Sequence, residues 1–281
     1  MARAHTIVIA GEGELPKLVA DGARSAGRRV LGIALRGYAS ESFADHCDEC
    51  INAGMMQPGK WVRAAKRFGA DDAVLIGRVS KGLMHTKGRF TRLLAGVPDL
   101  YAMNLWYRRL RHDHRTSVLL TTLADDLNQR GLLLVDSTTY LTEHLASDGA
   151  MGLIEPSAKA KGDIAFAWPL LTKTSALHIG QSIAVHDRDV ISVEAVEGTN
   201  AMIERSGDLC PRGGWTLLKT AAPDHDMRAD VPTIGVKTIE HAAAAGCTCI
   251  ALGAGRVILA DRPAVIAAAD EAGIALLGIT E

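Results

Sequence analysis

The chain has 281 residues, a length at which two domains are more common than a single core. Hydrophobic residues make up 48% of the chain and charged residues 22%, a composition that fits a folded globular protein and excludes a disordered one. The net charge is −1 and only 4% of the residues are aromatic, so we expect no nucleic acid partner, because such partners favour basic surfaces and stacking rings.

The N-terminal residues predict a first strand rather than a signal peptide, because one short apolar run is followed at once by glycine and acidic residues. No apolar stretch approaches the roughly 20 residues that a membrane-spanning helix needs. Five cysteines, an odd number, favour reduced thiols over a disulfide framework. For the C-x-x-C pair Cys47 and Cys50, packing is favoured over redox or zinc chemistry. We therefore expect a cytoplasmic protein.

Strand-like and helix-like segments alternate along the first half of the chain. A strand at residues 6–10, a helix at Leu15–Ser25 and a strand at residues 30–35 form a β-α-β opening. The remaining predicted elements of this half are a helix at 60–68, a strand at 73–77, helices within 100–130 and a strand at 132–135. This alternation predicts an α/β fold with a Rossmann-like parallel sheet.

The periodicity fades over residues 142–162, which are rich in glycine, serine and alanine. Such a segment is typical of a connection between domains. We therefore expect a Rossmann-like N-terminal domain at residues 1–145 and a C-terminal α/β catalytic domain at residues 155–281.

The second half predicts a mixed sheet. Two strands at 183–186 and 190–196 flank turn residues and predict a β-hairpin, which precedes a helix that starts near Thr199. The other predicted elements are helices at 163–178, 238–245 and 263–272, and strands at 215–219, 250–252, 257–259 and 275–279.

Two glycines occupy the first strand-to-helix turn. Gly11 and Gly13 precede Leu15, where the new helix offers unpaired N–H groups to a phosphate and glycine lets a ligand approach the backbone. The third glycine of a dinucleotide fingerprint is missing, and Glu12 and Glu14 would repel a pyrophosphate that lay directly against them. Two interpretations stay open, a loop that contacts ligand and a plain tight turn.

An acidic segment follows the strand predicted at residues 215–219. In an extended chain Asp224, Asp226, Arg228 and Asp230 would share one side. Grouped carboxylates belong either to a solvated loop or to a metal site, and oxygen ligands favour Mg²⁺ or Mn²⁺. The nearby Lys219 and Arg228 favour the metal site, since pyrophosphate hydrolysis needs a metal to activate water and cations to stabilise phosphoryl charge.

The segment Glu197-Gly198-Thr199-Asn200 ends a strand and opens a helix. Gly198 and a capping hydroxyl explain the turn without any ligand, while the helix N-terminus also suits a phosphate. Both interpretations stay open.

Arg78 lies just past the C-terminal end of a predicted strand, which is where open α/β sheets bind ligands. Its side chain would either reach a phosphate or hold the loop. His112-Asp113-His114 resembles a metal cluster, but neighbouring residues of a helix point in different directions and arginines flank them. A solvated basic helix face is the favoured interpretation for these three.

The motifs described above resemble those of the LpxI family of UDP-2,3-diacylglucosamine pyrophosphatases. The resemblance extends over nearly the whole chain. Its most specific parts are a Glu-Gly-Thr piece and an Asp-x-Pro-Thr-Ile-Gly piece, in that order. The matching segments are Ile9-Ala10-Gly11 with Leu15-Pro16, residues 77–80, Ile179-Gly180-Gln181-Ser182, residues 193–199 and Asp230-Val231-Pro232-Thr233-Ile234-Gly235.

The resemblance implies a two-domain enzyme of lipid A synthesis. With Mg²⁺ or Mn²⁺, such an enzyme binds its lipid-linked nucleotide sugar in a cleft between the domains and releases UMP and 2,3-diacylglucosamine 1-phosphate. The family's essential aspartate corresponds to Asp230. A homodimer and peripheral membrane contact without a transmembrane segment are also implied.

These observations give one mechanistic hypothesis. Asp230, supported by Asp226, positions the metal and a water, and Lys219 and Arg228 neutralise the diphosphate. The expected substrate-binding residues are Gly11, Gly13, Leu15, Arg78, Gln181, Glu197, Gly198, Thr199, Asn200 and Thr233.

Departures from the family pattern leave two alternatives. The family's Gly-Gly-Gly loop is Gly11-Glu12-Gly13 in this chain, and the family's Glu-Gly-Thr-Asp piece ends in Asn200 instead of aspartate. A Gly-Asp-Asp segment of the family is replaced around Thr116-Ser117. The alternatives are a hydrolase of another nucleotide-diphosphate sugar and a non-catalytic protein that binds such a nucleotide sugar.

Overall fold

The computed structural model describes residues 4–78, 97–111, 116–228 and 231–280. The chain forms two compact α/β units. The first comprises Met1–Leu141 and Asp226–Asp230, and the second comprises Thr142–His225 and Val231–Glu281. The short acidic segment thus belongs to the first unit, although the residues on both sides of it belong to the second.

A four-stranded parallel sheet forms the centre of the first unit, with strand order β3-β2-β1-β4. Three consecutive residues of its central strand, Ile7, Val8 and Ile9, are fully buried. Because successive strand residues point to opposite faces, both faces of this sheet are covered. The strands are His5–Ala10 (β1), Arg29–Leu35 (β2), Glu49–Ala53 (β3) and Asp72–Ile76 (β4).

The helices of this unit have recognisable start and stop residues. Prolines lie in the first turns of α1 and α2, where their missing N–H costs nothing, and Gly69 ends α2 in the left-handed conformation at φ 72°. A 3₁₀ turn covers Glu41–His46, and a π-helical segment at Trp106–Leu110 continues α3. The helices are Leu15–Ser25 (α1), Pro58–Phe68 (α2), Leu100–Leu105 (α3) and Thr116–Gln129 (α4).

Two expectations for the strands of this half were wrong. β3 was not predicted, because it is an edge strand whose residues are mostly exposed and therefore lack apolar alternation. The strand expected at 132–135 is reduced to a single bridge between Leu134 and Ala73. There the Asn128 side-chain oxygen accepts a hydrogen bond from Leu134 N at 2.6 Å.

A six-stranded mixed sheet forms the second unit, in the order β5-β12-β10-β8-β6-β7. The three strands β12, β10 and β8 are parallel, and the predicted hairpin of β6 and β7 adds antiparallel strands at one edge. The prediction of a mixed sheet is confirmed. Its strands are Gly149–Ala150 (β5), Ser182–His186 (β6), Asp189–Val193 (β7), Trp215–Lys219 (β8), Cys247–Gly253 (β10) and Ala275–Ile279 (β12).

Two hydrophobic clusters cover the two faces of this sheet, one containing Trp215 and Leu217 and the other Leu218 and Cys249. A separate pair of short parallel strands, Thr233–Ile234 (β9) and Ile258–Leu259 (β11), completes the strands described in this unit.

The helices of the second unit follow the predicted order. α5 begins at Ala158, earlier than expected, because the Ser157 hydroxyl accepts a hydrogen bond from Ala160 N at 3.1 Å and caps it there. A 3₁₀ turn lies at Thr142–His144. The helices are Ala158–Ala176 (α5), Thr199–Leu209 (α6), Val236–Ala244 (α7) and Arg262–Glu271 (α8). Over the ranges that the structure describes, none of the helices combines the length and apolarity needed to cross a bilayer.

Candidate functional site

A buried polar cluster lies at the C-terminal end of β8 in the second unit. It consists of Ser182, Glu194, Thr199 and Lys219, which we call the Lys219 cluster. Ser182 and Lys219 are directly opposite each other in the antiparallel pairing of β6 with β8. Glu194 follows β7, and Thr199 is the first residue of α6. The hairpin and the helix that follows it therefore bring these four side chains together.

The Lys219 ammonium is at the centre of the cluster, and the residue is only 3% exposed. It donates hydrogen bonds to Thr199 Oγ1 at 2.8 Å and to Ser182 Oγ at 3.0 Å, and it lies 3.6 Å from Glu194 Oε2. Thr199 Oγ1 in turn donates to Glu194 Oε1 at 2.8 Å. A buried ammonium is tolerated only when an opposite charge and hydrogen bonds compensate for its lost hydration, and this network supplies both.

Glu194 is ionised in this environment. Burial by itself would raise the pKa of its carboxyl, but the charge of Lys219 and the hydrogen bond from Thr199 outweigh that effect and lower the pKa below 4.5. The cluster therefore holds one positive and one negative charge out of water.

The N-terminus of α6 lies next to this cluster. Gly198 precedes the helix at φ 83°, a conformation that favours glycine, and no side chain caps the helix. The Thr199 hydroxyl is turned towards Glu194 instead. The first N–H groups of the helix thus have no side-chain cap, and Asn200, exposed in the first turn, adds no negative charge. This arrangement suits an anion.

The sequence found only part of this cluster. Lys219 and Thr199 were predicted as site residues, and the structure brings them together. Glu197 instead pairs with Arg205 at 2.8 Å on the surface. Glu194 and Ser182 were missed as functional residues. The sequence did contain a signal for Glu194, because this acidic residue lies near the end of the predicted hairpin and Lys219 ends a mostly apolar predicted strand.

In the first unit the β1–α1 turn packs tightly against the end of β4. Gly11 N donates to Ile76 O, and Glu12 and Arg78 exchange two backbone hydrogen bonds. A Cβ on Gly11 would lie 2.8 Å from the Arg78 carbonyl oxygen, so this close approach explains why glycine stands at position 11. The backbone of Arg78 thus helps to hold the loop.

Gly13 and Leu15 are in a more open part of the same turn. Gly13 is exposed, has φ 105° and would meet nothing within 4 Å if it carried a Cβ. Leu15 is the first residue of α1 and is half-buried. The open backbone at Gly13, next to the start of α1, leaves room for a ligand.

The acidic segment does not adopt the extended conformation expected from its sequence, and that expectation was wrong. Asp226 Oδ1 accepts from Arg228 N at 3.1 Å and closes a turn, as aspartate side chains often do. The alternation that would have placed four side chains on one side is therefore absent over the described residues 223–228.

Arg228 is held between two carboxylates. Its guanidinium lies 2.6 Å from Asp226 Oδ2 and 2.8 Å from Asp125 Oδ1. The hydrogen bonds to Asp226 raise the pKa of Arg228 above its usual value, and the hydrogen bond to Asp125 adds a smaller increase. Asp125, on α4, was missed by the sequence reasoning because no local pattern connects it with the distant acidic segment. Two carboxylates and one guanidinium leave this group with a net charge of −1.

Other predicted site residues do not belong to the Lys219 cluster or to the group around Arg228. Gln181 precedes β6, and its carbonyl accepts a hydrogen bond from Thr220 N at 3.0 Å. Thr233 begins β9, and its hydroxyl donates to the Val231 carbonyl. Asp230, the expected catalytic residue, lies outside the described residues, as do His112-Asp113-His114.

Metal-binding potential in the described part of the chain is limited. No three His, Cys, Asp or Glu side chains in those ranges are close enough together to form a metal site by themselves. Burial raises the pKa of the Cys47 thiol to about 12, which disfavours the thiolate that zinc requires. Carboxylate oxygens, such as those around Arg228, are the type of ligand that Mg²⁺ and Mn²⁺ favour.

Solved structures of other proteins resemble this chain only weakly. The Bordetella bronchiseptica enzyme WbmG, solved with NAD, is 13% identical over 47% of this chain and 36% of its own, with a TM-score of 0.29. A nucleoside-diphosphate-sugar epimerase from Pseudomonas aeruginosa is 19% identical over 59% of this chain and 68% of its own, with a TM-score of 0.27. Likeness at this level carries no functional argument.

Sequence relatives are more informative. The LpxI N-terminal domain family matches residues 5–144, and the LpxI C-terminal domain family matches residues 147–277. The UDP-2,3-diacylglucosamine pyrophosphatase LpxI of Caulobacter vibrioides is 32% identical over 279 residues, which cover 97% of this chain and 96% of that protein. Both halves of the chain match this family, and the chain belongs to the LpxI family.

Proposed function

We propose that this chain hydrolyses the pyrophosphate bond of UDP-2,3-diacylglucosamine and releases UMP and 2,3-diacylglucosamine 1-phosphate during lipid A synthesis. The observation that carries the proposal is the 32% identity to a protein of that activity over nearly the whole length of both chains. The family matches in both halves support it, because a shared single domain would not transfer the activity of a two-domain enzyme.

The N-terminus of α6 is the proposed contact for the substrate's diphosphate. Its open N–H groups and the partial positive charge of the helix dipole attract a phosphate, and the neutral Asn200 does not repel one. Lys219 acts here as a positioning residue. Its hydrogen bond to Thr199 fixes the first residue of the helix. Its buried positive charge adds to the electrostatic attraction between the helix N-terminus and a phosphate.

Asp230 is the proposed catalytic carboxylate, with Asp226 as its partner in holding Mg²⁺ or Mn²⁺. The residues around Arg228 fit a divalent cation, because they carry a net negative charge and present oxygen ligands, and Mg²⁺ needs only one or two carboxylates besides phosphate and water oxygens. When bound, the metal would activate water and offset charge on the phosphoryl oxygens. Arg228 fixes the carboxylate of Asp226 through both of its oxygens.

The turn at Gly13 and Leu15 is the proposed nucleotide contact of the Rossmann-like first domain. An exposed left-handed glycine before a helix lets a ligand approach the main chain closely. Arg78 is exposed at the edge of the same turn, and its guanidinium is the proposed contact for a phosphate of the nucleotide.

Two exposed side chains, Glu12 and Asn200, favour two alternative functions. Glu12 adds a negative charge to the glycine loop, and Asn200 removes one that the family pattern has, so the charge at the proposed ligand contacts differs from that of the family. Another nucleotide-diphosphate sugar would then be the substrate. A non-catalytic protein that binds the nucleotide sugar is the other candidate.

A panel of UDP-sugars, assayed for UMP release with and without EDTA, tests these candidates together. We expect release from UDP-2,3-diacylglucosamine that EDTA abolishes and added Mg²⁺ restores. Faster release from another UDP-sugar would support the first alternative. Binding of the nucleotide sugar without release from any substrate would support the second.

A homodimer and a cytoplasmic location complete the proposal. They follow from the family resemblance, and the mass of the purified chain in solution tests the first of them. A mass equal to one chain at working concentrations would contradict the dimer.

A further inference from the structure

A cavity of about 300 Å³ lies beside the start of α5 in the second unit, and we call it the Arg188 cavity. The residues that line it are Ala158, Lys159, Gly162, Asp163, Asp187 and Arg188. The first four belong to α5, and the last two form the turn between β6 and β7. β6 begins at Ser182, in the Lys219 cluster, and ends just before this turn, so its two ends are about 13 Å apart. The Arg188 cavity is therefore remote from the proposed diphosphate contact.

The backbone of the β6–β7 turn is unusual for its sequence. Asp187 and Arg188 have positive φ angles of 51° and 60°. Two-residue hairpin turns with this backbone normally contain asparagine or glycine, because longer side chains disfavour the left-handed conformation. Asp163 Oδ1 stabilises the turn by accepting a hydrogen bond from Arg188 N at 2.6 Å. The chain thus places an arginine at the cavity against its conformational preference.

Two cationic side chains line the cavity and differ in their partners. The Lys159 ammonium donates to His186 Nε2 at 2.6 Å and lies 3.4 Å from Asp187 Oδ1. The Arg188 guanidinium lies over Gly162, 3.4 Å from the position of a Cβ on that glycine. Among the residues that the structure describes, no carboxylate pairs with this guanidinium. Its fork of N–H donors matches a carboxylate in a ligand, and the nearby N-terminus of α5 also favours a negative charge.

A buried carboxylate completes the lining. Asp163 is only 1% exposed. Its Oδ1 is occupied by Arg188 N, whereas its Oδ2 has no hydrogen-bond partner within the described ranges. A buried carboxylate oxygen without a donor is unfavourable, because its hydration is lost and nothing replaces it. An ammonium group of a ligand would supply both the donor and a compensating positive charge.

We propose that the Arg188 cavity binds a free α-amino acid, whose carboxylate pairs with Arg188 and whose ammonium donates to Asp163. The charges of such a ligand cancel, as do those of the two cationic and two acidic residues that line the cavity, so no charge is left uncompensated. At roughly 30 Å³ for each water-sized volume, the cavity has room for about ten non-hydrogen atoms, the size of an amino acid. The inference goes beyond the proposed function and uses none of its residues.

Thermal unfolding of the full chain with each standard L-amino acid in turn tests the proposal, since a ligand of the folded state raises the unfolding midpoint. We expect at least one amino acid to raise it. The N-acetyl derivative of that amino acid lacks the ammonium, and the corresponding amine lacks the carboxylate, so neither should raise the midpoint. No shift with any amino acid, or an equal shift with the N-acetyl derivative, would overturn the proposal.

Calorimetry with the amino acid that gives the largest shift then assigns its site. Arg188→Gln and Asp163→Asn should each weaken its binding by about tenfold or more, because each removes a charge-assisted contact. The matched control is Lys161→Gln, which removes an exposed positive charge from the same helix outside the cavity and should bind like the unaltered chain. Arg188 is exposed, so its variant decides the matter even if the variant of the buried Asp163 fails to fold. Unchanged binding by Arg188→Gln, or an equal loss in Lys161→Gln, would overturn the assignment.

The Asp230→Ala variant separates this inference from the proposed function. It should lose hydrolysis and bind the amino acid with an unchanged Kd. Loss of amino acid binding in this variant would place the ligand at the proposed catalytic residue and overturn the assignment to the Arg188 cavity. An unaltered chain that binds the amino acid but hydrolyses no UDP-2,3-diacylglucosamine would refute the proposed function and leave this inference supported.

Discussion

At the scale of single residues, the Lys219 cluster shows how the second unit keeps a charge out of water. Neither Lys219 nor Glu194 would be stable there alone, because an unpaired buried charge loses several kcal/mol of hydration. The hydroxyls of Ser182 and Thr199 each accept a hydrogen bond from the ammonium. Each of these residues therefore depends on the others, and the start of α6 depends on all of them.

Replacing Glu194→Gln should destabilise the chain by about 3 kcal/mol at neutral pH, since the buried Lys219 ammonium would lose the negative charge of Glu194 beside it. The pKa of Glu194 is lowered in the folded state, so its stabilising contribution is present above its ordinary value of 4.5 and is lost as the pH falls through the lowered value. The difference between variant and unaltered chain should therefore shrink in acid.

Urea unfolding at a series of pH values measures this difference. The control is Glu197→Gln, which removes a surface ion pair with Arg205 and should cost less than about 1 kcal/mol at any pH. A Glu194→Gln effect that stays constant with pH would show that ionisation of Glu194 does not stabilise the fold.

Replacing Asp230→Ala should lower kcat by about a thousandfold or more, because the proposed catalytic carboxylate would be gone. Binding of UDP, measured by calorimetry, should be retained. The matched control is Asp224→Ala, which removes an exposed carboxylate from the turn before Arg228 and should leave kcat unchanged. Equal activity of both variants would remove Asp230 from the mechanism.

At the scale of elements, close backbone approach decides the shape of the first unit's glycine turn. The Gly11→Ala variant should destabilise the chain by about 2 kcal/mol, because its Cβ would press on the backbone of residues 77 and 78. Gly162→Ala, inside α5 and with only ordinary contacts, should instead stabilise it by about 0.5 to 1 kcal/mol.

Chemical denaturation of both glycine variants measures these opposite effects. If Gly11→Ala were neutral, the turn would have room to relax, and the packing explanation for this glycine would be wrong. A destabilised Gly162→Ala would point to strain against Arg188, whose guanidinium lies 3.4 Å from the added Cβ.

Elements with strong local signals were predictable from the sequence. α1 has the predicted bounds, because its apolar spacing and Pro16 specify both the helix and its start. β3 was missed because an exposed edge strand shows no alternation. The acidic segment was predicted as extended because a turn closed by the Asp226 side chain depends on one local hydrogen bond, which alternation rules do not include.

Only those residues of the candidate site that belong to short sequence motifs could be predicted from the sequence. Lys219, Thr199 and Gly198 stand next to recognisable turns and strand ends, so the sequence identified them. Asp125 and Ser182 were missed because they join their groups only through the tertiary fold. A contact between distant parts of a chain leaves no trace in local spacing.

At the scale of the whole molecule, family membership carries the functional argument. The motifs recognised in the sequence and the family matches cover both units, whereas solved structures with TM-scores below 0.5 add nothing on function. The chain has no overall charge to attract an anionic substrate, so the diphosphate must be met by local groups. In our proposal those local groups are the α6 N-terminus and a divalent cation, which the carboxylates near Arg228 would help to hold.

The most direct test is to identify the products that the purified chain forms from UDP-2,3-diacylglucosamine in the presence of Mg²⁺. Mass spectrometry should find UMP and 2,3-diacylglucosamine 1-phosphate in equal amounts, since the proposed reaction breaks the bond between the two phosphates. Formation of UDP with unphosphorylated diacylglucosamine, or intact substrate after prolonged incubation, would contradict the proposal.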